Sequence, residues 1–155
     1  MNIDFINLGF SGYSTGDLPI AKAMASLDVS CYVLDYGANN TTPRNLEEAY
    51  IPFIKELRSG KKDKPIVLVT PILSSDESWK LDVQTRKNGL REVVRRAYKE
   101  CTDSGDANIY LVEGLELLSF EDADGIVDNN HPNDIGFLKM SCRLGKVLQD
   151  ILKLT

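Results

Sequence analysis

The chain has 155 residues, a length that fits one domain, here residues 1–155, and suffices to bury one hydrophobic core. Its hydrophobic content of 43% and charged content of 26% are ordinary for a folded protein, and its net charge of −5 argues against a nucleic-acid or anionic-membrane surface. No apolar run is long enough to span a bilayer and no signal-peptide pattern is visible, so a cytoplasmic location is the default expectation.

The first half of the chain predicts two strand–helix units. Residues 3–8 form a short apolar run that predicts a strand, and a helix is expected after the glycine-rich turn that follows. Residues 31–34 are apolar and β-prone, which is typical of a buried parallel strand. After a polar loop, Thr41 or Thr42 can cap a second helix that ends at Gly60.

The second half repeats the pattern. Residues 65–70 and 108–112 predict two further strands, separated by a loop with Ser74 and Ser75 and by a long helix. The acidic loop 121–130 leads into a last helix with an apolar stripe. Because strands alternate with helices, we expect parallel pairing and an α/β sheet covered on both faces.

The only histidine of the chain, His131, follows Asp128 by three residues and precedes Pro132. Histidine titrates near neutral pH and suits proton transfer, and a carboxylate one turn away can orient its ring. The pair predicts the base of a hydrolytic triad and the acid that orients it. The alternative is a helix N-terminal cap in which His131 is incidental, and the spacing alone leaves both open.

Two further polar loops follow predicted strands. Glycines in the turn 9–12 allow backbone N–H groups to approach a ligand, although a simple tight turn has the same pattern. The loop 37–40 contains asparagines whose amides can donate to an oxyanion, or can form an Asx turn before the helix. Ligands of doubly wound sheets bind beyond the carboxyl ends of the strands, so we expect a site where these loops meet.

Other kinds of site are disfavoured by the motifs. Neither a Walker A loop nor a dinucleotide-binding glycine motif follows the first strand. Asp122, Asp124 and Asp128 are too closely spaced for an EF-hand and predict a solvated acidic loop. The three cysteines form no CxxC pair, so we expect buried free thiols in a reducing compartment rather than a zinc site.

Taken together and in this order, the motifs resemble the SGNH hydrolases, also called GDSL-type esterases and acylhydrolases. The run Asn-Leu-Gly-Phe-Ser-Gly resembles the block that supplies an oxyanion glycine and points to Gly12, and Gly-Ala-Asn-Asn resembles the G-x-N-D block and points to Asn39. Asp128 and His131 match the D-x-x-H block. The resemblance implies a flavodoxin-like three-layer α/β fold with a parallel sheet. It also implies a serine esterase that needs no metal or other cofactor and acts on a small-molecule or carbohydrate ester.

The chain departs from the family at the block that carries the nucleophilic serine. In the family a G-D-S block follows a strand upstream of the glycine block, whereas here the glycine block begins at Asn7. The resemblance therefore implies a domain missing its first strand, with self-association as one consequence of an uncovered sheet edge. Ser11 is the candidate for a substitute nucleophile. The alternatives are a chain that is inactive alone or a non-catalytic binding module derived from a hydrolase.

Overall fold

A parallel sheet forms the centre of the molecule in the computed structural model, which describes residues 3–60 and 63–153. Val33 lies opposite Val67 and Val67 opposite Tyr110, so the strands are in parallel register. The sheet order follows the chain order: β1 (Tyr32–Leu34), β2 (Ile66–Val69) and β3 (Ile109–Val112). The predictions of these three strands and of their parallel pairing are confirmed.

Helices lie on both faces of this sheet. In the described part of the chain they are α1 (Leu18–Ala25), α2 (Pro43–Gly60), α3 (Leu81–Asp103), α4 (Gly114–Leu117) and α5 (Asp134–Leu152). The helix α2 begins where its sequence predicts, because the Thr42 hydroxyl accepts a hydrogen bond of 3.2 Å from the Asn45 N–H. The predicted three-layer α/β fold is confirmed.

The two faces are covered unequally. The first three helices pack on one face, where Leu34, Leu68 and Ile109 join apolar residues of α1, α2 and α3 in the larger core. On the other face α5 packs against β2 and β3 through residues such as Leu144 and Val147. The short helix α4 contacts α5 on that face through Leu117, and most of the apolar side chains of α5 are only half-buried.

The prediction of a strand at residues 3–8 is wrong for the structure, in which this segment has no regular secondary structure and pairs with no described strand. Backbone pairing needs a neighbouring strand, and the segment is separated from β1 by a cavity of about 920 Å³. We call this cavity the edge cleft; it is lined mainly by residues 3–10, residues 31–36 and the end of α5. Phe5 and Ile6 are 85% and 61% exposed as a result.

Two expectations about individual side chains are also corrected. Asp122 is buried rather than solvated, because it pairs with Arg143 and lies 3.0 Å from Lys139 Nζ, which joins the acidic loop to α5. The hydrogen bond from Arg143 holds the pKa of Asp122 well below its usual range.

Of the cysteines, Cys31 and Cys101 are half-buried and Cys142 is exposed. No helix of the described residues is both long and apolar enough to cross a membrane.

Candidate active site

Asp128 and His131 form a hydrogen-bonded pair. The Nδ1 atom of His131 lies 2.8 Å from Asp128 Oδ2, and Asp128 Oδ1 accepts the backbone N–H of His131 at 2.8 Å. These bonds lower the pKa of Asp128 to about 2, so the carboxylate stays ionised near neutral pH. Because Nδ1 is engaged, Nε2 is the ring nitrogen that remains for proton transfer. Asn133, not this pair, caps α5 by accepting from the Ile135 and Gly136 N–H groups.

The loop that carries the pair is tied to the loop after β2. The Ser74 hydroxyl lies 2.9 Å from the Asn129 carbonyl oxygen, which also accepts the Ser75 N–H at 2.8 Å. Asn129 has a φ of +69°, a left-handed conformation that these bonds help to hold. Lys87 Nζ donates to Asn130 Oδ1 at 3.2 Å. The two residues between Asp128 and His131 are therefore fixed from α3 and from the β2 loop.

A buried ion pair between Arg91 and Glu77 holds the loop after β2 in this arrangement. Arg91 donates to both carboxylate oxygens of Glu77, at 2.7 Å and 2.9 Å, and both side chains are at most 2% exposed. Arg91 also donates to the carbonyl oxygens of Pro71 and Ile72, at 2.8 Å and 2.9 Å. Glu77 accepts the Ser74 N–H at 2.7 Å. This bidentate pair fixes the path of the β2 loop, and through Ser74 the position of the loop with His131.

Two ionisable groups near the site have strongly displaced pKa values. Burial lowers the pKa of Lys87 from 10.5 to about 8, and the nearby Glu77 opposes part of this effect. Asp35 follows β1 and lines the edge cleft, where surrounding protein raises its pKa to about 6 and Lys87 counteracts part of the rise. The Asp35 side chain is solvent-exposed, so the groups that surround it belong to the wall of the edge cleft and not to the core. Lys87 therefore lowers the pKa of Asp35 after β1 and also donates a hydrogen bond to Asn130 in the loop with His131.

The turn that contains Gly12 leaves a backbone donor unused. Gly12 has a φ of +71°, and the turn is closed by a 3.1 Å bond from the Tyr13 N–H to the Phe10 carbonyl oxygen. The Ser14 hydroxyl reinforces it by bonding the N–H and the carbonyl oxygen of Phe10. Within residues 3–60 and 63–153 the Gly12 N–H makes no hydrogen bond. It is therefore available to an incoming oxygen atom.

Asn39 ends a short 3₁₀ turn, Gly37–Asn39, directly after β1. Its backbone N–H donates to the Tyr36 carbonyl oxygen at 3.3 Å, and its half-buried side-chain amide has no hydrogen-bond partner among the described residues. The neighbouring Asn40 is 3% exposed and its Nδ2 atom is also unpaired. The turn thus presents a free amide donor at the carboxyl end of β1.

Of the predicted site residues, the structure joins only Asp128 and His131 directly. Ser11 is exposed, and in the described part of the chain its hydroxyl bonds neither to His131 nor to any other group. Gly12 and Asn39 lie on separate loops and make no hydrogen bond to the pair. The described residues also contain no group of three His, Cys, Asp or Glu side chains placed to hold a metal ion.

Sequence reasoning missed the residues that position the loop with Asp128 and His131. Lys87 and Arg91 occupy a helical stripe with Leu90 and Val94, so two cations stand at positions that the periodicity assigns to the core. Glu77 follows Ser74 by three residues, the spacing of a capping box, and the structure shows both of its hydrogen bonds. The helical stripe and the capping-box spacing are both visible in the sequence, but neither indicates which loop these side chains contact.

Comparison with known proteins gives a consistent match. The sequence model of the GDSL-like lipase/acylhydrolase family matches residues 1–149. A Bacteroides ovatus protein described as a GDSL-like lipase superposes with a TM-score of 0.90 at 25% identity, over 97% of this chain and 44% of that one. The salicylyl-acyltransferase SsfX3 of a tetracycline biosynthetic pathway superposes with a TM-score of 0.72 at 17% identity, over 86% of this chain and 42% of that one. The chain thus spans less than half the length of either structure, and no curated protein matches it.

Proposed function

The chain belongs to the GDSL-like lipase/acylhydrolase family, and we propose that it carries the base and the oxyanion donors of a serine ester hydrolase. The observation that carries this proposal is the 2.8 Å contact between His131 Nδ1 and Asp128 Oδ2. It gives the ring a fixed orientation, an ionised acid partner and a free Nε2 atom. These are the properties that a general base for a serine hydroxyl requires.

In the proposed reaction a serine Oγ attacks the ester carbonyl carbon while its proton passes to His131 Nε2. The tetrahedral intermediate collapses, the alcohol leaves with that proton, and an acyl-serine remains. Water then attacks the acyl carbon, with His131 again accepting and returning a proton, to release the carboxylic acid and the serine. Asp128 stays ionised throughout and stabilises the imidazolium at each step.

The oxyanion of each intermediate needs hydrogen-bond donors that are free before the substrate arrives. The Gly12 N–H and the Asn39 side-chain amide are both unpaired in the described part of the chain, and they follow segment 3–8 and β1, which both line the edge cleft. We assign them to the oxyanion hole. Loss of one such donor typically reduces kcat by about 10²–10³-fold.

The substrates that we propose are short acyl esters of small molecules or carbohydrates. The exposed Trp79, at 63%, ends the 3₁₀ turn whose Ser75 bonds to the loop of His131. An exposed aromatic ring close to a catalytic loop offers an apolar face for a sugar ring or an acyl group. It supports this substrate class more than it supports a highly charged substrate.

A fluorophosphonate serine probe tests the origin of the nucleophile. The purified chain is labelled, its intact mass is measured and the modified peptide is mapped, with His131→Ala as the matched variant. An adduct on Ser11 that disappears in His131→Ala would place the whole triad in this chain. Without an adduct, a serine supplied from elsewhere is required, and His131→Ala must then abolish turnover in a serine-containing form. Full turnover in that variant would contradict the assignment of His131.

A second candidate is a non-catalytic binding module derived from a hydrolase. It is favoured by one observation, namely that no serine hydroxyl of the described residues is bonded to His131. Calorimetric titration with a short-chain ester discriminates the two. Saturable binding of the ester without hydrolysis would support the binding module. If no hydrolysis appears when a serine-bearing segment is supplied, the hydrolase is excluded.

A further inference from the structure

Lys87 is a buried cation without an ion-pair partner. The residue is 1% exposed, and its ammonium group forms no ion pair with any carboxylate of the described residues. Within the same part of the chain, its hydrogen bond goes to the Asn130 side-chain oxygen, at 3.2 Å. A buried charge without a counter-ion lowers the stability of a protein, so stability does not account for a lysine at this position. Ionisable groups that are kept in such surroundings are found preferentially at functional sites.

The charged groups around Lys87 do not supply the missing counter-ion. The groups whose charges act on it come from three elements: Asp76 and Glu77 from the loop after β2, Arg86 and Arg91 from α3, and Asp35 from the loop after β1. Both acids of the β2 loop are already engaged by another cation, at 3.1 Å and 2.7 Å. The two arginines oppose the charge of Lys87, and burial opposes the ionisation of Asp35. The ammonium group is therefore held by a neutral amide and by charges at longer range.

Asn130 is the residue through which Lys87 acts on the pair of Asp128 and His131. It directly precedes His131, and the backbone N–H groups of both residues donate to Asp128 Oδ1, at 3.2 Å and 2.8 Å. The residue before it, Asn129, has a φ of +69°, which the surrounding contacts must hold. The hydrogen bond from Lys87 thus fixes the short segment that joins the carboxylate to the imidazole, and a shift of this segment would move the ring.

We propose that Lys87 is a pH-dependent positioning residue of the loop with His131: as an ammonium ion it holds Asn130 in place, and as a neutral amine it holds Asn130 less tightly. A charged donor forms a hydrogen bond roughly twice as strong as a neutral donor does. When Lys87 loses its proton to solvent, this bond weakens, and the left-handed backbone at Asn129 keeps only its contacts with the loop after β2.

The consequence is an alkaline limit on the fixed form of the loop. Burial lowers the pKa of Lys87 to about 8, so its ammonium form predominates below that pH and its amine form above it. The loop with His131 should therefore be held more firmly on the acid side of about pH 8. Turnover of a serine-containing form should fall on the alkaline side; this second step rests on the proposed function, whereas the change in the loop does not.

The single histidine of the chain allows a test on the unmodified protein. The C–H resonances of the His131 ring are followed by NMR from about pH 6 to about pH 10 in the parent, in Lys87→Met and in Lys55→Met. Lys87→Met removes the titrating group and keeps an unbranched side chain. Lys55→Met is the matched control, because it removes a lysine whose side chain is 74% exposed. The variants are required because the α-amino group of a chain also titrates near pH 8.

We expect the His131 resonances of the parent and of Lys55→Met to show a step with its midpoint at about pH 8. In Lys87→Met the step should be absent, and the resonances should stay at the position that the parent has at high pH. Asn130→Ala removes the acceptor and should also abolish the step, with no further change when it is combined with Lys87→Met. A parent without the step, or a step that persists in Lys87→Met, would overturn the proposal. So would a step that persists in Asn130→Ala, because the effect would then not pass through Asn130.

Turnover is read separately in a serine-containing form. At pH 7 Lys87→Met should lower kcat by about 3–10-fold with little change in KM, because the bond that it removes positions the base and does not contact the substrate. The fall of kcat above about pH 8 should occur in the parent and be absent in Lys87→Met. A step in the ring resonances without any change in turnover would refute the role of His131 as the base and leave the positioning by Lys87 intact.

Discussion

Lys87 is one of two buried cations at the site, and replacing it with methionine should stabilise the protein while impairing the site. Its side chain is almost completely buried, and its pKa falls from 10.5 to about 8 mainly because the ammonium group is desolvated. At pH 7 this difference corresponds to about 3 kcal/mol of destabilisation by the charged form. Lys87→Met removes that penalty and keeps an unbranched apolar side chain of similar length.

The hydrogen bond from Lys87 to Asn130 stabilises the folded protein, and its loss in Lys87→Met offsets part of this gain in stability. Its loss costs about 1 kcal/mol, since the Asn130 side-chain oxygen keeps its contact with the Ser74 hydroxyl. The expected net gain in the free energy of unfolding at pH 7 is therefore about 2 kcal/mol.

The gain has a defined pH dependence. The pKa of this base is lower in the folded state than in the unfolded state, so the penalty is complete below about pH 8 and disappears as the pH rises to 10.5. At pH 9.5 the penalty has fallen to about 1 kcal/mol, and the variant and the parent should then be about equally stable.

Urea unfolding at pH 7 and at pH 9.5 measures this directly. The matched control is Lys55→Met, which removes the same charge from a side chain that is 74% exposed and should change stability by less than about 0.5 kcal/mol. A Lys87→Met variant that is less stable than the parent at pH 7, with Lys55→Met unchanged, would refute the reasoning. In a serine-containing form of the protein Lys87→Met should also lower kcat, because the Asn130 side chain loses its hydrogen bond from Lys87.

Three further perturbations address the supports of the site. Arg91→Met should lower the free energy of unfolding by about 3–5 kcal/mol, because it leaves the Glu77 carboxylate buried without its partner. Arg96 is exposed, so Arg96→Met should change the free energy of unfolding by less than about 0.5 kcal/mol. Urea titration compares the two variants. Gly136→Ala should destabilise by about 1–3 kcal/mol because the added Cβ would lie 2.2 Å from the Gly125 carbonyl oxygen, and a higher thermal midpoint would contradict this. Asp128→Asn should lower kcat of a serine-containing form by about 10³–10⁴-fold with an unchanged urea midpoint, and retained turnover would show that the acid does not orient His131.

The local sequence pattern was sufficient to predict the three strands of the sheet. The apolar runs at β1, β2 and β3 form strands because each has a parallel neighbour. Residues 3–8 have the same kind of pattern and do not form a strand, because strand formation depends on a neighbour that no local pattern specifies.

The same distinction applies to the site. The contact between Asp128 and His131 spans three residues and was predictable from spacing. The contacts of Lys87 with Asn130 and of Ser74 with Asn129 span 43 and 55 residues, and they depend on which loops the sheet order brings together. The spacing of Arg91 in a core stripe indicated a buried cation, but not that it would hold the β2 loop.

The anchoring of the His131 loop to α3 has a consequence for local opening. Lys87 and Arg91 belong to a long helix that packs against α2 and the sheet, so their contacts should open only with that cooperative unit. The Gly12 turn is held by hydrogen bonds within a few exposed residues and should open at much lower free energy. Amide hydrogen exchange would therefore divide this one site into a slowly exchanging half that contains the proposed base and a rapidly exchanging half that contains a proposed oxyanion donor.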